Sequence, residues 1–306
     1  MNTRPQVLID CDPGHDDAIA ILLAAELTDI QAITTVAGNT NLENTTRNAL
    51  AVVDLTNQQI PVFSGASQPL QGTTQNAEHV HGKRGFGGVE LPDPVTQLTG
   101  TDAVDQIIQY SHDVAELWII AIGPLTNIAL ALQKDPQLAE RIAGFSVMGG
   151  STNHGNATAT AEFNIWADPE AAKIVFDSQA RVKLCGLNLT RQFMSDDALI
   201  TELQKSPAPK AKLMAELYSY MHLRMDELVG ERAAALHDPC AVLAITHPDM
   251  FEFTHLPVDV ELNGKLTRGM TVVDQRLSKN KAPANVEVAM TIDATRARHL
   301  LVKHFT

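Results

Sequence analysis

Cysteine is scarce in this chain of 306 residues, and long apolar runs and a basic excess are missing. Its three cysteines, Cys11, Cys185 and Cys240, are unclustered, form no CxxC zinc or redox motif and fit a reducing cytoplasm. No stretch of about 18 apolar residues occurs, so neither a transmembrane helix nor a membrane partner is expected. The net charge of −13 argues against a nucleic-acid partner bound through a broad basic surface.

The first residues, MNTRPQVLIDCD, lack a basic segment followed by an apolar one, so nothing suggests secretion and a cytoplasmic location is expected. Hydrophobic residues make up 44% of the chain, enough for a substantial core. The sequence shows no internal repeat, no low-complexity tract and no long linker. We therefore predict a single domain over residues 1–306.

Short β-rich runs alternate with amphipathic segments, which is typical of an open, mostly parallel, Rossmann-like α/β sheet with flanking helices. The predicted strands cover residues 7–9, 30–36, 61–63, 117–122, 145–148, 182–187 and 286–292. The predicted helices cover residues 16–27, 42–55, 169–177, most of 195–236, 240–246 and a closing segment. Two further strands near 258–262 and 270–274 predict a small antiparallel addition late in the chain.

Polar or small residues follow four of the predicted strands. Asp10 and Asp12 follow the first strand and Asn39 the second, whereas Gly123 and Gly149 follow two later ones. In open α/β sheets, ligands bind beyond the carboxyl ends of the strands. Ordinary turn formation accounts for the glycines. It does not account for the density of carboxylates after the first strand, so we predict a shared binding crevice there.

The segment DCDPGHDD at 10–17 places four carboxylates within eight residues. Like charges this close need a compensating cation, and a hard divalent ion with oxygen ligands is the natural one. Capping of the following helix is an alternative use for either Asp16 or Asp17. The sharp turn at 13–14 lets Asp12 and Asp17 converge on one point.

Two weaker signals accompany this segment. Asp238 lies between His237 and a proline at a predicted helix start, where aspartate is ordinary and the histidine is more often a plain loop residue. Glu162 and Asn164 are two residues apart, so in an extended segment they would point the same way and form a polar wall for a sugar. A polar loop that satisfies its own backbone is an equal alternative for that pair.

Together, these motifs resemble the nucleoside hydrolase family, the inosine-uridine preferring enzymes, over essentially the whole chain. The matching motifs are DCDPGHDDA at 10–18, VAGN at 36–39, HG at 81–82, IGPLTNIA at 122–129, MGG at 148–150, GN at 155–156, AEFN at 161–164 and HDP at 237–239. Motifs this long in this order are highly specific. The resemblance implies Ca²⁺-dependent hydrolysis of the N-glycosidic bond of ribonucleosides, releasing a base and ribose for salvage or catabolism.

The resemblance also implies a metal site and a catalytic base. The Ca²⁺ ligands would be Asp12, Asp17, Asp238 and the backbone carbonyl of Ile122, with Asp10 supporting them from behind. Asp12 would also deprotonate a metal-activated water that attacks the anomeric carbon.

The remaining implied roles concern the nucleoside. The ribose would be bound by Asp16, Asn39, Met148, Asn156, Glu162 and Asn164. His237 would lie near the departing base. His81 would sit on a mobile loop that closes the site, with the glycines at 82, 85, 87 and 88 keeping it supple. A homotetramer is expected, with a dimer possible.

Carboxylates near the sugar suit this chemistry independently, because they stabilise the oxocarbenium-like transition state of a ribosyl transfer. The base preference stays open. Met221, Met225 and Val229 are expected to face the base, although methionines at helical spacing are usually core residues. Two rival functions are a phosphohydrolase of the haloacid dehalogenase type and a non-catalytic nucleoside or sugar sensor. The Pro-Gly-x-Asp-Asp continuation disfavours the first rival, and an intact Asp12 disfavours the second.

Overall fold

The computed structural model describes residues 4–306, and a central eight-stranded sheet organises them. The strands are β1 (Gln6–Cys11), β2 (Asp29–Thr35), β3 (Val62–Ser64), β4 (Trp118–Ala121), β5 (Gly144–Met148), β6 (Val182–Cys185), β7 (Met194–Ser195), β8 (Ala234–Ala235), β9 (Phe251–Leu256), β10 (Val258–Val260), β11 (Thr271–Val273) and β12 (Val286–Ile292). The helices are α1 (His15–Leu27), α2 (Leu42–Thr56), α3 (Glu78–His81), α4 (Ala103–Asp113), α5 (Thr126–Lys134), α6 (Leu138–Arg141), α7 (Phe163–Ala167), α8 (Pro169–Asp177), α9 (Leu187–Thr190), α10 (Asp197–Lys205), α11 (Pro209–Val229), α12 (Pro239–Thr246) and α13 (Ala294–Phe305), with a 3₁₀ turn at Pro248–Met250.

The strand order of the large sheet is β3-β2-β1-β4-β5-β6-β12-β9. All neighbouring strands run parallel except β9, which is antiparallel to β12. The order of the first six is that of a doubly wound dinucleotide-binding sheet, in which the direction of winding reverses between β1 and β4. The predicted Rossmann-like, mostly parallel α/β sheet is thereby confirmed.

Helices cover both faces of this sheet, which explains the continuous apolar runs of its central strands. Val7 and Ile9 of β1 pack with α1 in one core cluster, whereas Leu8 points into the other. Helix α1 lies under α11 and α12, so its residues 18–25 are almost fully buried all round. A helix held this firmly fixes the carboxylates of its first turn. None of the helices within 4–306 is long and apolar enough to cross a membrane.

Three local predictions differ from the structure. The late antiparallel addition exists as β10 and β11, but the chain also adds β9, which the sequence analysis did not predict, to the main sheet. Residues 195–236 are mostly helical as predicted, but the two ends of this region pair with each other as β7 and β8. They can pair because α10 and α11, which lie between them in the chain, bring its two ends side by side. The prediction of an extended segment at 161–164 is wrong, because α7 begins at Phe163.

Candidate active site

The polar residues predicted to share a crevice do meet beyond the carboxyl ends of the strands. Asp12 follows β1, Asn39 follows β2, Ile122 follows β4 and Met148 ends β5. The first and third of these strands flank the point where the winding reverses, which is where open α/β sheets bind ligands. All four residues are buried.

Carboxylates form the bottom of this crevice. Ligand oxygens of Asp16, Asp17 and Asp238 lie within 4.8 Å of one another. Asp17 joins Asp12 to this trio, since its Oδ1 accepts a hydrogen bond from the backbone N–H of Asp12 at 3.1 Å. Its Oδ2 accepts from the N–H of Gly14 at 2.9 Å, so Asp17 also caps α1. We call Asp12, Asp16, Asp17 and Asp238 the carboxylate floor.

Asp12 occupies a space that two glycines leave open. One carboxylate oxygen, Oδ2, accepts from the backbone N–H of Asn39 at 2.7 Å, and the other, Oδ1, is buried without a hydrogen-bond partner. A Cβ on Gly123 would lie 2.7 Å from that Oδ1, and a Cβ on Gly38 would overlap Oδ2. The glycines of the VAGN and IGP motifs therefore make room for a carboxylate, a role that a turn pattern does not reveal.

Burial makes the charged form of these side chains costly. It raises the pKa of Asp12 and Asp238 well above the usual range, with neighbouring aspartate charges adding to the effect. It also raises the pKa of Asp16 to about 7 and of Asp17 to about 6. Within residues 4–306, no lysine, arginine or histidine forms an ion pair with any of them. An acidic cluster with an unpartnered oxygen and no protein cation fits a divalent metal ion.

A polar wall rises beside the floor. Glu162 caps α7, where its carboxylate accepts from the backbone N–H groups of Asn164 at 3.0 Å and Gly150 at 2.8 Å. The Asn164 amide donates to the carbonyl oxygens of Ile122 at 3.0 Å and Met148 at 3.1 Å. Helix capping, rather than the predicted strand alternation, thus brings these predicted residues together. Burial raises the pKa of Glu162 to about 7.

Asn39 braces the floor, whereas Asp10 is held by two side chains outside it. The Asn39 side-chain nitrogen donates to the Asp12 carbonyl oxygen and to Asp17 Oδ2, both at 3.1 Å. The amide nitrogen of this predicted ribose ligand therefore braces the two aspartates. Asp10 Oδ1 accepts from Thr34 at 2.6 Å and from Asn127 at 2.8 Å. Burial raises the pKa of Asp10 to about 7.

Asn156 differs from the other predicted ribose ligands. It is exposed, and its side-chain oxygen accepts from the backbone N–H of Phe163 at 2.9 Å. In this arrangement its side-chain oxygen braces the first residue of α7.

His237 precedes the floor residue Asp238 and is held from outside the motif. Its Nδ1 lies 2.8 Å from the hydroxyl of Thr190, at the end of α9. Burial lowers the pKa of His237 to about 4, and the nearby charge of Arg191 acts in the same direction. The sequence analysis did not identify Thr190, since nothing in its local pattern marks a contact 47 residues away.

A family model described as inosine-uridine preferring nucleoside hydrolase matches residues 7–299. The chain belongs to this family. An inosine-uridine preferring nucleoside hydrolase of Leishmania major is 39% identical over 297 residues, covering 94% of this chain and 93% of that protein. A pyrimidine-specific ribonucleoside hydrolase of Shewanella oneidensis is 41% identical over 303 residues, covering 97% and 94%. The solved structure of a purine-preferring ribonucleoside hydrolase from Gardnerella vaginalis superposes with a TM-score of 0.91 at 30% identity, covering 98% of both chains.

These similarities make the protein a nucleoside hydrolase, an enzyme that hydrolyses the N-glycosyl bond of ribonucleosides. The family typically uses a metal ion, and the acidic cluster found here agrees with that.

The upper side of the hydrolase site is formed by residues 77–89 and the second half of α11, which we call the roof. Asn48 of α2 donates to the Arg84 carbonyl oxygen at 2.7 Å, and Thr40 donates to the Lys83 carbonyl oxygen at 2.8 Å. Arg224 of α11 donates through Nε to the His79 carbonyl oxygen at 2.8 Å. Since Asn48 also donates to the Pro13 carbonyl oxygen, these contacts hold the roof over the turn at residues 12–17.

Two roof expectations change in the structure. Gly85 and Gly87 adopt φ values of +88° and +59°, so they set one particular turn rather than only keeping the loop supple. Of the residues expected to face the base, Met221 packs against the core and Val229 is exposed. Their neighbour Tyr220, which the sequence analysis missed, packs against His15 instead.

Proposed function

We propose that the protein hydrolyses the N-glycosidic bond of ribonucleosides in a Ca²⁺-dependent reaction and releases a nucleobase and ribose. The observation that carries this proposal is the carboxylate floor, buried without a protein cation and flanked by the Glu162–Asn164 wall. Membership of the nucleoside hydrolase family supports it.

Ca²⁺ is the proposed ion because every candidate ligand is a hard oxygen donor. The ligands are Asp12, Asp17, Asp238 and the carbonyl oxygen of Ile122. The unpartnered Oδ1 of Asp12 and the closeness of Asp17 to Asp238 support this set. Asp16 lies in the same cluster, and its ribose role is proposed because it is the least buried of the four floor carboxylates. When bound, the ion would neutralise the floor and acidify the attacking water.

The residues of the chain then divide the work. Asp12 takes a proton from the water that attacks the anomeric carbon. Asp16, Asn39, Met148, Asn156, Glu162 and Asn164 are the proposed ribose ligands. Charge on the sugar side of the transition state is stabilised by the floor and by Glu162. His237 and His81 are the two candidates to stabilise the departing base, and Asp10 supports the floor from behind.

The proposal also covers the base preference, the assembly and the location of the enzyme. The relatives' names describe inosine-uridine, pyrimidine and purine preferences, so the base preference stays open. A homotetramer or dimer and a single domain over 1–306 remain predictions. The proposed cytoplasmic location is supported by three cysteines that are all buried free thiols.

The test is a reducing-sugar assay on metal-stripped protein with and without added Ca²⁺. The substrates are inosine, adenosine, guanosine, uridine and cytidine, with p-nitrophenyl phosphate to probe the rival phosphohydrolase activity. We expect Ca²⁺-dependent release of ribose from at least one nucleoside and no release of nitrophenol. Full activity of the stripped protein would contradict the metal requirement. Phosphatase activity alone, or nucleoside binding without turnover, would support a rival function instead.

A further inference from the structure

The roof contacts the turn at residues 12–17 through a pair of histidines. His15, the first residue of α1, and His81, the last residue of α3, bring their Nδ1 atoms to 3.0 Å. The ring centroids are 5.1 Å apart and the ring planes differ by 27°. The distance between the ring centroids is close to the Nδ1–Nδ1 distance plus the radius of each ring. The two Nδ1 atoms therefore lie near the line that joins the ring centres, and each points at the other ring edge-on. That is the geometry of an N–H···N hydrogen bond rather than of a face-to-face stack.

His15 is itself held firmly in place. It is buried, and the ring of Tyr220 lies parallel to it with centroids 5.0 Å apart and an interplanar angle of 16°. Phe86 meets it edge-on at 6.4 Å. Gly87 allows this packing, because a Cβ there would enter the Tyr220 ring. The loop and α11, the two parts of the roof, therefore both contact His15, and its Nδ1 faces His81.

His81 in turn lies inside the candidate site. Its ring rests on Gly14, two residues after Asp12, and the charge of His237 is close enough to influence it. Because Nδ1 faces His15, Nε2 is the nitrogen left to reach a bound nucleoside. The two histidines are 66 positions apart in the chain, so the pairing depends on the closed roof.

The hydrogen bond between the two Nδ1 atoms holds one proton, so one ring donates and the other accepts. When His15 donates from Nδ1, His81 accepts at Nδ1 and keeps its own proton on Nε2, the nitrogen left for a bound nucleoside.

We propose that His15 is a positioning residue that makes His81 a hydrogen-bond donor to the departing nucleobase, an inference that rests on the proposed function. The C–N bond breaks, and its electron pair moves to the base. The base leaves as an anion hydrogen-bonded to His81 Nε2–H, while the oxygen of the attacking water bonds to the sugar. The water proton passes to Asp12, and the base regains a proton from solvent. A neutral imidazole can stabilise developing negative charge in this way.

Two substitutions of His15 separate positioning from packing. His15→Leu keeps bulk but removes the hydrogen bond, whereas His15→Asn places an amide where Nδ1 lies. We expect His15→Leu to lower kcat for inosine by about ten- to a hundredfold, within the range of a lost transition-state donor, with little change in KM. His15→Asn should recover most of that loss. Turnover of p-nitrophenyl riboside, whose phenolate needs no donor, should change by less than about twofold. His299→Leu, an exposed histidine on α13 away from the site, is the matched control and should leave both substrates unaffected.

A double variant tests whether His15 acts through His81. In a His81→Ala background, His15→Leu should cause no further loss with inosine, since the two residues form one unit. Additive losses would overturn the proposal, as would equal losses on both substrates, because His15 would then serve the metal-binding turn or the fold. An inosine rate that His15→Leu leaves unchanged would overturn it as well. Ribose release from the five nucleosides by the unaltered enzyme checks the proposed function separately, and its absence with all of them would overturn both.

Discussion

The floor and the roof of this site are built in opposite ways. The floor carboxylates follow buried parallel strands or begin buried helices, and their partners are mainly backbone N–H groups and neighbouring side chains. The roof loop, residues 77–89, is glycine-rich, and its carbonyl groups accept hydrogen bonds from Thr40 and from side chains of α2 and α11. The floor is therefore set by the core of the fold, whereas the roof depends on a few replaceable contacts.

This difference assigns different functions to the two regions. A rigid, desolvated floor suits metal binding and stabilisation of charge on the sugar, because its groups are already oriented before substrate arrives. A roof with few core contacts belongs to the less stable part of a structure and can open for substrate and product. We therefore expect floor substitutions to affect every substrate, and roof substitutions to depend on the leaving group.

The largest expected effect comes from the floor. Asp12→Asn should reduce turnover of both inosine and p-nitrophenyl riboside to near background, because it weakens the metal site and removes the base together. Steady-state rates and calorimetric Ca²⁺ titration measure the two losses. Asp29→Asn, an exposed change at the opposite end of the same sheet, should have no effect. Full activity of Asp12→Asn would contradict the mechanism.

The sugar wall provides the next test. Loss of the 2′-hydroxyl removes the hydrogen bonds that the buried Glu162–Asn164 wall is proposed to make to the ribose, so kcat/KM for 2′-deoxyinosine should fall by about 10⁴-fold relative to inosine. Competition between the two nucleosides in one assay gives the ratio directly. Equal values would show that this wall does not bind the sugar.

A leaving-group effect should appear where the floor meets the roof. His237→Ala is expected to slow inosine by about 10²–10⁴-fold and to leave p-nitrophenyl riboside nearly unchanged. If both substrates slow equally, His237 serves the metal or the fold. If neither slows, the departing base is assisted by His81, by solvent, or by Arg232, an exposed residue that follows α11 in the chain.

The smallest effect is expected from the roof latch. Arg224→Leu removes the hydrogen bonds to the His79 carbonyl oxygen and should lower kcat/KM for nucleosides only about two- to tenfold. Amide hydrogen exchange of residues 77–89 should accelerate at the same time. Arg296→Leu, which removes a surface ion pair with Asp249, is the matched control. Unchanged exchange in Arg224→Leu would show that other contacts hold the roof.

The same contrast explains what could be predicted from the sequence. Much of the floor could be predicted because Asp12, Asp16 and Asp17 lie close together in the chain and follow one strand. The roof was not, because its contacts join residues far apart: 145 positions separate Arg224 from His79. Glu162 and Asn164 were identified from the family motif, but a spacing of two does not distinguish a strand from a helix cap followed by the first turn.

Strand β9 shows a further limit of the sequence patterns. Its sequence, FEFTHL, alternates apolar and polar residues over only four positions, and only the first and last of its six residues are buried, so the pattern is too short to predict a strand. It forms because β12 offers an unpaired edge, and that edge exists only after the rest of the sheet has assembled.

The hydrogen bonds that hold the roof loop also affect how the sequence of this enzyme can change during evolution. The acceptors in the loop are the carbonyl oxygens of His79, Lys83 and Arg84, which every amino acid provides. The side chains of these three positions can therefore drift during evolution without loosening the closed loop, provided that the donors on α2 and α11 persist. Such a loop can explore new surfaces above the base while the chemistry below it stays fixed.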